Sequence, residues 1–323
     1  MNGRRRLLAA LGATALAAPL GGFAQEFPSR PLRLIVPFPP GGSNDMMARL
    51  IASPLSAALG RNVVVDNRGG GNTIIGTEAC ARAPADGHTL LITGFPYISN
   101  PSLVAKLPYD TLRDFAAVGR CSTDPFLISV HPSLPAHTLA DLVALARARP
   151  GVLQYGHTGV GTGQHVAGEL FKLAAGIDIV HVPFQGGAPA ATAVLGGHAQ
   201  VLVSTPATVE SHVAAGRLRP LAVTSPERIV QMKDVPTFAE SGYPGVVLAT
   251  QVGVVVPAAT PKPVIRRLGD ELARAMKLPE VIAGMVRQGF QPAPLSADAF
   301  DALIRTEMVR MQAIVKDVKL RLD

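Results

Sequence analysis

Short apolar runs rich in β-branched residues alternate with stretches of helical periodicity along most of this chain. Residues 32–37 form such a run, and a Pro- and Gly-rich turn separates them from the helical pattern of residues 44–59. The same order recurs at residues 126–130 and 138–149. Strands that alternate with helices favour parallel sheets with helices on both faces. We therefore expect an α/β protein, and its 323 residues leave room for two lobes.

The charge of the chain does not point to nucleic acid. The formal net charge is +7, but Arg4, Arg5 and Arg6 supply three of the positive charges, which leaves 27 basic residues against 23 acidic ones. Nucleic-acid binding needs clustered Lys and Arg interleaved with stacking aromatic residues, and no basic run follows Arg6. With 48% apolar residues the chain has ample material for a core. We expect a globular protein that does not bind nucleic acid.

Residues 1–24 have the pattern of an export signal. Three arginines are followed by apolar or small residues from 7 to 18 and by Gly22-Phe23-Ala24, a small-x-small triplet suited to signal peptidase. The apolar stretch is shorter than the about 20 residues that a transmembrane helix needs. We expect cleavage near Ala24 and a periplasmic mature protein. The arginines are compatible with both the general secretory and the twin-arginine route.

Cys80 and Cys121 are the only two cysteines. In an oxidising periplasm they could form a disulfide, and two buried free thiols are at least as well supported. Neither cysteine has a second Cys or a His at ligand spacing, and the histidines at 157, 165, 181 and 198 show no metal-site spacing either. The sequence therefore predicts no metal site.

Enzyme signatures are broken or absent. No Lys follows a Gly, which excludes a Walker-type phosphate loop, and residues 41–45 lack the closing Gly of a nucleophile elbow. Residues 159–164 resemble a dinucleotide fingerprint but place Gln164 at the third Gly. We expect neither catalysis nor a cofactor.

Two Gly-rich turns have the features of anion-binding sites. Residues 40–43 and 158–162 each lie between a strand and a helix, where the free N–H groups of the first helical turn point at a bound anion. Ser43 or Thr162 could cap its helix or hydrogen-bond the ligand. Such turns are common without a ligand, but two in opposite halves could hold one carboxylate between them. Asp45 would repel an anion unless it faces away, orders water or pairs with a cationic group of the ligand.

Ordered blocks of residues resemble a known family. Residues 36–45, Val-Pro-Phe-Pro-Pro-Gly-Gly-Ser-Asn-Asp, closely resemble the N-terminal signature of the tripartite tricarboxylate transporter substrate-binding proteins, or Bug receptors. Further blocks follow in order at residues 67–68, 86–90, 100–103, 107–110, 159–162, 181–184, 218–224, 234–237 and 257–261. Many blocks in sequence are far more specific than one turn.

The resemblance implies a type II periplasmic binding protein-like fold, with two doubly wound α/β lobes and a ligand cleft between them. Lobe 1 would comprise residues 25–125 and 247–323, and lobe 2 residues 126–246. Such a monomeric receptor captures a dicarboxylate, a tricarboxylate or another small organic acid and delivers it to the membrane permease subunits of the transporter. A receptor that presents the acid to a sensor protein is the alternative. A secreted hydrolase is a third and weaker one.

Matching positions give the expected ligand-binding residues. The first-lobe wall would comprise Phe38, Gly41, Gly42, Ser43 and Asp45. The second-lobe wall would comprise Thr158, Gly159, Gly161, Thr162 and His165. Phe38 fits a shielding role better than a specificity contact, and His165 could equally cap its helix.

The chain departs from the family pattern where Ser204 and Thr205 replace a usual Asp and where Gln251 replaces a usual Trp. Loss of the Asp removes a negative charge from the expected pocket. This change favours an acid without an ammonium group.

Overall fold

Residues 27–322 are described by the computed structural model, and they form two β-sheets flanked by helices. The strands are β1 (Leu32–Val36), β2 (Val63–Asn67), β3 (Thr89–Ile92), β4 (Phe115–Pro125), β5 (Leu127–Val130), β6 (Gln154–His157), β7 (Val180–Pro183), β8 (Val201–Ser204), β9 (Arg219–Val223), β10 (Ala249–Pro257) and β11 (Pro292–Leu295). The first sheet has the order β11-β4-β10-β3-β1-β2 and the second the order β7-β6-β8-β5-β9. The two-lobed α/β fold expected from the sequence is confirmed. The expected export signal lies outside the described residues.

Helices connect most of the strands. They are α1 (Ser43–Leu59), α2 (Ile74–Ala81), α3 (Phe95–Leu103), α4 (Leu139–Ala148), α5 (Gly163–Ala175), α6 (Gly187–Leu195), α7 (Pro206–Ala214), α8 (Lys262–Ala275), α9 (Pro279–Arg287) and α10 (Ala297–Val318). No helix of residues 27–322 is both long enough and apolar enough to cross a bilayer.

Helix α1 illustrates how the sequence specifies these elements. Met47, Ile51 and Leu55 recur every four residues and are buried where α1 packs on β1, β2 and α8. Burial of each side chain contributes about 1.5–3 kcal/mol. The helix ends at Gly60, whose φ of 65° is the left-handed conformation that glycine adopts without strain.

The sheets are mixed, and the expectation of parallel sheets is wrong in this respect. Strands β1, β2 and β3 are parallel, as are β6, β7 and β8, but β10 is antiparallel to its neighbours β3 and β4, and β5 is antiparallel to β8 and β9. The chain passes directly from β4 to β5 through Phe126 and returns to the first sheet in β10. The parallel strands of both sheets end on the side where the two sheets face each other. Strands β5 and β10 begin on that side, so each runs antiparallel to its neighbours.

The periodicity of the sequence did not indicate α3, β4, α9 or β11. Helix α3 contains Pro96 and Pro101, which are turn signals in a sequence, and β4 contains Gly119, Arg120 and Asp124, which break its apolar run. Strand β4 exists because it is paired on both sides, by β10 and β11. The long helix α10 packs against α3, β4 and α5 and so contacts elements of both lobes.

Both cysteines are buried free thiols in this structure. Burial raises the pKa of Cys80 and that of Cys121 to about 12. Of the two alternatives that the sequence left open, the structure has the free thiols.

Candidate functional site

A cleft lies between the two sheets and is lined by residues of both lobes. Its walls are mostly small, hydroxyl-bearing or aromatic. The lining residues are Phe38, Pro39, Pro40, Gly42, Ser43, Asn44, Phe95, Pro96, Phe126, Thr158, Thr162, Gln164, Gly186, Gly187, Thr205, Thr208 and Thr250. None of these lining residues, all within the described chain, is an Asp, Glu, Lys, Arg or His.

Five helices of the described chain begin at this cleft. Residues of the first turn or the N-cap of α1, α3, α5, α6 and α7 line it, because β1, β3, β6, β7 and β8 end there and a short turn follows each strand. In none of these five helices does the N-cap side chain accept a hydrogen bond from the first turn. The first N–H groups of a helix have no partner within it. The cleft therefore collects backbone donors and the positive ends of five helix dipoles.

This arrangement selects for anions without using a charged side chain. Each N-terminus favours a negative group by about 0.3–1 kcal/mol, and by up to about 2 kcal/mol where the site is partly buried. Asn44, Gln164 and several hydroxyl groups can add directional hydrogen bonds. The cleft can hold and orient an anion, and its described lining contains no His, Asp, Glu or Lys that could act as a base beside a hydroxyl group.

The structure places three of the five expected first-lobe residues in the wall. Phe38, Gly42 and Ser43 line the cleft, whereas Gly41 and Asp45 are not among the lining residues. Asp45 is buried at the start of α1, with 3% of its surface exposed. Gly41 has a φ of 80°, which makes the turn into α1 possible.

Asp45 holds the Gly-rich turn in shape. Its Oδ2 accepts hydrogen bonds from the Gly41 N–H at 3.0 Å and from Arg49 Nε at 3.1 Å, and its Oδ1 accepts one from Asn67 Nδ2 at 3.0 Å. Burial alone raises the pKa of this carboxyl, but the bonds from Arg49 and the other two donors outweigh that effect and hold the pKa below its usual value. The carboxylate is neutralised by these donors and faces away from the cleft, so it does not repel an anion there.

Of the residues expected to line the cleft on the second lobe, only the three threonines do so. These are Thr158, Thr162 and Thr205. The other four expected residues lie outside the lining. These are Gly159, Gly161, His165 and Ser204. Ser204 is buried, and its hydroxyl has no hydrogen-bond partner among residues 27–322.

Histidine side chains support the second-lobe turn from behind. The carbonyl of Gly159 accepts a hydrogen bond from Thr162 Oγ1 at 2.7 Å, and His157 Nδ1 lies 2.9 Å from that carbonyl oxygen and 3.3 Å from the Gly159 nitrogen. The N–H of Gly161 donates to His165 Nδ1 at 3.1 Å. Gly159 and Gly161 thus give the turn its shape, with φ values of 131° and 79°, and the threonines present it to the cleft.

Three histidines that are far apart in the sequence meet here. His157, His165 and His181, whose sequence spacing gives no metal-site pattern, each place one ring nitrogen within 4.8 Å of the other two. Sequence spacing could not reveal the cluster, because β6, β7 and α5 bring the residues together only through the sheet. Burial lowers the pKa of His157 to about 3 and, together with repulsion from His181, that of His165 to about 4.

Several lining residues have no counterpart among the expected ones. The pair Gly186-Gly187 follows β7 and opens α6, which is the same strand, glycine and helix order that indicated the first two turns. That signal was present in the sequence. Gly94 precedes α3 in the same way, but the sequence did not indicate that helix. Nothing local marked Phe126 or Thr250, which reach the cleft because the chain crosses between the sheets beside them.

Side chains of the two lobes also touch outside the cleft. Gln231 of the second lobe donates to the Phe290 carbonyl at 2.8 Å and accepts from Gln291 Nε2 at 2.5 Å. Gly161 lies against Leu322 and Asn72 of the first lobe. The two lobes are therefore in contact with each other in this structure.

Comparisons with known proteins agree with this geometry. Residues 47–320 match the family described as "Tripartite tricarboxylate transporter family receptor". The protein BugT of Bordetella pertussis is 36% identical over 323 residues, which cover 98% of each chain.

Two solved structures have the same fold. An R. palustris protein described "with adipate" is 33% identical, with a TM-score of 0.88 over 92% of this chain and 99% of its own. The periplasmic binding protein BugD is 28% identical, with a TM-score of 0.86 over 91% of this chain and 99% of its own. Together with the family match, these likenesses show that the chain is a periplasmic solute-binding receptor and belongs to the tripartite tricarboxylate transporter receptor family.

Proposed function

We propose that this receptor captures a small carboxylate-bearing acid between its lobes, leaves it chemically unchanged and passes it to the membrane permease of a tripartite transporter. One observation carries the proposal: five helix N-termini without side-chain caps meet at a cleft whose lining, in the described chain, has no ionisable side chain. Backbone N–H groups and helix dipoles stabilise a carboxylate. The membership of the chain in a transporter receptor family supports the role in delivery.

The ligand should combine its carboxylates with a hydrocarbon body. Phe38, Phe95 and Phe126 line the cleft between the polar helix ends, and these rings exclude water from an apolar segment. Acids that place a carboxylate near each lobe would use N-termini of both lobes at once. The R. palustris relative described with adipate fits this pattern.

Amino acids should bind less well than acids without an ammonium group. A buried ammonium group needs a carboxylate or several acceptors around it, and the described lining has no Asp or Glu. The carboxylate of Asp45 is already engaged by Arg49 and two other donors. Ser204 does not line the cleft, so the absence of an Asp at that position does not by itself set the charge of the pocket.

Ligand binding would couple to lobe closure. We take residues 25–125 with 247–323 as one lobe and residues 126–246 as the other, with the hinge at Phe126 and at residues 246–249. A ligand that contacts both walls binds the closed arrangement better and shifts the population towards it. The hydrogen bonds of Gln231 to the first lobe would form only in that closed arrangement.

A thermal-shift screen followed by calorimetry tests the proposal. The panel contains monocarboxylates, dicarboxylates of increasing length, a tricarboxylate, glutamate and the diamide of each dicarboxylate. We expect at least one carboxylic acid without an ammonium group to raise the melting temperature and its diamide to have no effect. NMR of the ligand released from the protein should show the unchanged acid. Equal binding of an acid and its diamide, or formation of a product, would contradict the proposal. Uptake of the bound acid by cells with and without the receptor tests delivery.

A further inference from the structure

A cluster of three imidazole rings lies on one face of the second sheet, behind the turn of residues 158–162. His157 ends β6, His181 lies in the neighbouring parallel strand β7, and His165 lies in the first turn of α5. Because Tyr155 pairs with His181 in register, His157 and His181 are diagonal neighbours on the same face. His157 and His165 are buried, whereas His181 is exposed. The cluster is therefore open to solvent on one side only.

The distances suit a transition-metal ion. His157 Nε2 and His181 Nδ1 lie 3.2 Å apart. Two imidazole nitrogens on one tetrahedral Zn²⁺, each about 2.0–2.1 Å from the ion, are separated by about 3.3 Å. One nitrogen from each of the three rings, that of His165 included, lies within 4.8 Å of the other two. Three histidines with solvent in a fourth position form a common open zinc site.

The surroundings also suit a cation. Glu169 Oε1 lies 4.0 Å from His165 Nε2 and supplies a negative charge. Lys172 Nζ, 3.3 Å from the same oxygen, offsets part of it. The Tyr155 hydroxyl donates to Glu169 at 2.6 Å and fixes that carboxylate.

The rings must reorient for an ion to bind all three. His157 and His165 are stacked, with centroids 4.5 Å apart and planes at 8°, so one ion cannot lie in both ring planes. Because His165 Nδ1 accepts from the Gly161 N–H, its proton is on Nε2. Coordination through Nε2 moves that proton to Nδ1 and removes the acceptor from Gly161. Coordination of an ion by His165 Nε2 and the hydrogen bond from the Gly161 N–H to His165 Nδ1 therefore exclude each other.

We propose that His157, His165 and His181 form a site for a borderline transition-metal ion such as Zn²⁺, and that metal binding there loosens the Gly159–Thr162 turn at the wall of the cleft. The metal site is independent of the proposed function. Only its effect on carboxylate affinity rests on that function, and linkage requires that effect to be reciprocal.

Calorimetry on the mature, tag-free protein in a non-chelating buffer tests the site. We expect one Zn²⁺ per molecule, no heat with Mg²⁺, which prefers oxygen ligands, and an affinity about tenfold or more lower in His181→Ala. His181 is exposed, so the variant should keep its melting temperature. His198→Ala removes another exposed histidine outside the cluster and should bind Zn²⁺ as the parent does. Absence of stoichiometric Zn²⁺ binding, or an equal loss in both variants, overturns the site.

Amide exchange tests the coupling without any carboxylate. Deuterium uptake of the peptide that contains Gly161 should be faster with Zn²⁺ than with EDTA in the parent, and His181→Ala should show no such difference. Unchanged or slower uptake in the metal-loaded parent would refute the loosening of the turn, whatever the cleft binds.

Discussion

The phenyl rings of Phe95 and Phe126 meet edge to face in the cleft, with their centroids 5.8 Å apart and their planes at 78°. Phe95 begins a first-lobe helix, and Phe126 is the residue at which the chain crosses to the second lobe. Gly163, the first residue of α5, packs against both rings. The contact between the lobes at this point depends on the absence of a side chain at residue 163.

Gly163→Ala should weaken carboxylate binding. A Cβ there would lie 2.8 Å from Phe95 Cγ and closer still to Phe126, and such overpacking costs about 1–3 kcal/mol, which corresponds to a loss of affinity of about fivefold to 150-fold by calorimetry. Gly245→Ala, whose Cβ would meet no atom within 4 Å, is the matched control. Equal affinities of the two variants would contradict this account.

Ser43→Ala should have a smaller effect than Gly161→Ala. The serine hydroxyl contributes at most one neutral hydrogen bond, worth about 1 kcal/mol, because the adjacent backbone N–H groups remain. At Gly161, alanine meets a φ of 79°, with Asn72 Nδ2 at 2.8 Å and Leu322 closer, so it opposes closure. Calorimetry of both variants with the same acid decides the order, and a larger loss in Ser43→Ala would show that side chains dominate recognition.

Asp45→Asn should lower stability more than it lowers affinity per folded molecule. The carboxylate accepts from Arg49, Asn67 and the Gly41 N–H, and an amide would turn a donor towards at least one of these donors. Leaving a buried donor without its partner costs about 1–3 kcal/mol, measurable by urea unfolding. Because the native pKa is lowered, this contribution is present at neutral pH and is lost as the pH falls below the ordinary Asp range. A variant as stable as the parent at pH 7 would refute the supporting role.

Asp124 gives stability the opposite dependence on pH. Burial raises the pKa of this carboxyl to about 7, although hydrogen bonds from Ser122 and the Gln291 N–H and the charge of Arg120 lower it. The folded state therefore holds the proton where the unfolded chain, near its ordinary value of 3.8, has lost it. Stability should fall from about pH 4 to pH 7, by at most about 1.4 kcal/mol per pH unit.

Asp124→Asn should remove that slope. Its amide can donate to Ser122 while its oxygen still accepts from Gln291. The free energy of unfolding in urea at pH 5 and pH 7.5 should differ less in Asp124→Asn than in the parent. The same difference in both proteins would mean that Asp124 is not the titrating group.

Cys80 and Cys121 should not react with a thiol reagent in the folded protein. Both are fully buried and burial raises each pKa to about 12, so little thiolate exists at pH 8. Colorimetric titration should detect two thiols in denaturant and none in its absence. Detection of none under both conditions would indicate a disulfide instead.

Patterns of neighbouring residues predicted the individual helices and turns of the fold. Helix α1 and its Gly-rich turn follow from four-residue apolar spacing and from Gly41-Gly42, and the second such turn follows from Gly159 and Gly161. The apolar run of residues 246–256 indicates strand β10, but its antiparallel direction could not be inferred in the same way, because that direction depends on where the chain returns from the second sheet. The histidine cluster was missed for a similar reason, since 24 residues separate His157 from its partner His181.

The candidate site shows the same limit at the level of single residues. Ser43 and Thr162 lie where strand, glycine and helix follow one another, and they line the cleft. Asp45 and His165 belong to the same segments but point to the far side of the turns, where they hold the backbone. Which side a helix's first-turn residue faces depends on how the helix docks on its sheet. A strand and turn pattern does not contain that information.

The two sheets differ in when their strands become available during synthesis and translocation. Strands β5 to β9 come from one uninterrupted stretch, whereas β10 lies between β3 and β4 in the first sheet. Strand β4 must therefore wait for about 120 further residues, and β3 for about 160, before their shared neighbour emerges. The second sheet, from the middle of the chain, can become protease-resistant first, while β3 and β4 of the first sheet each expose an unpaired edge. In that interval the unpaired edges of β3 and β4 are open to pairing with another chain, so aggregation competes with completion of the first sheet.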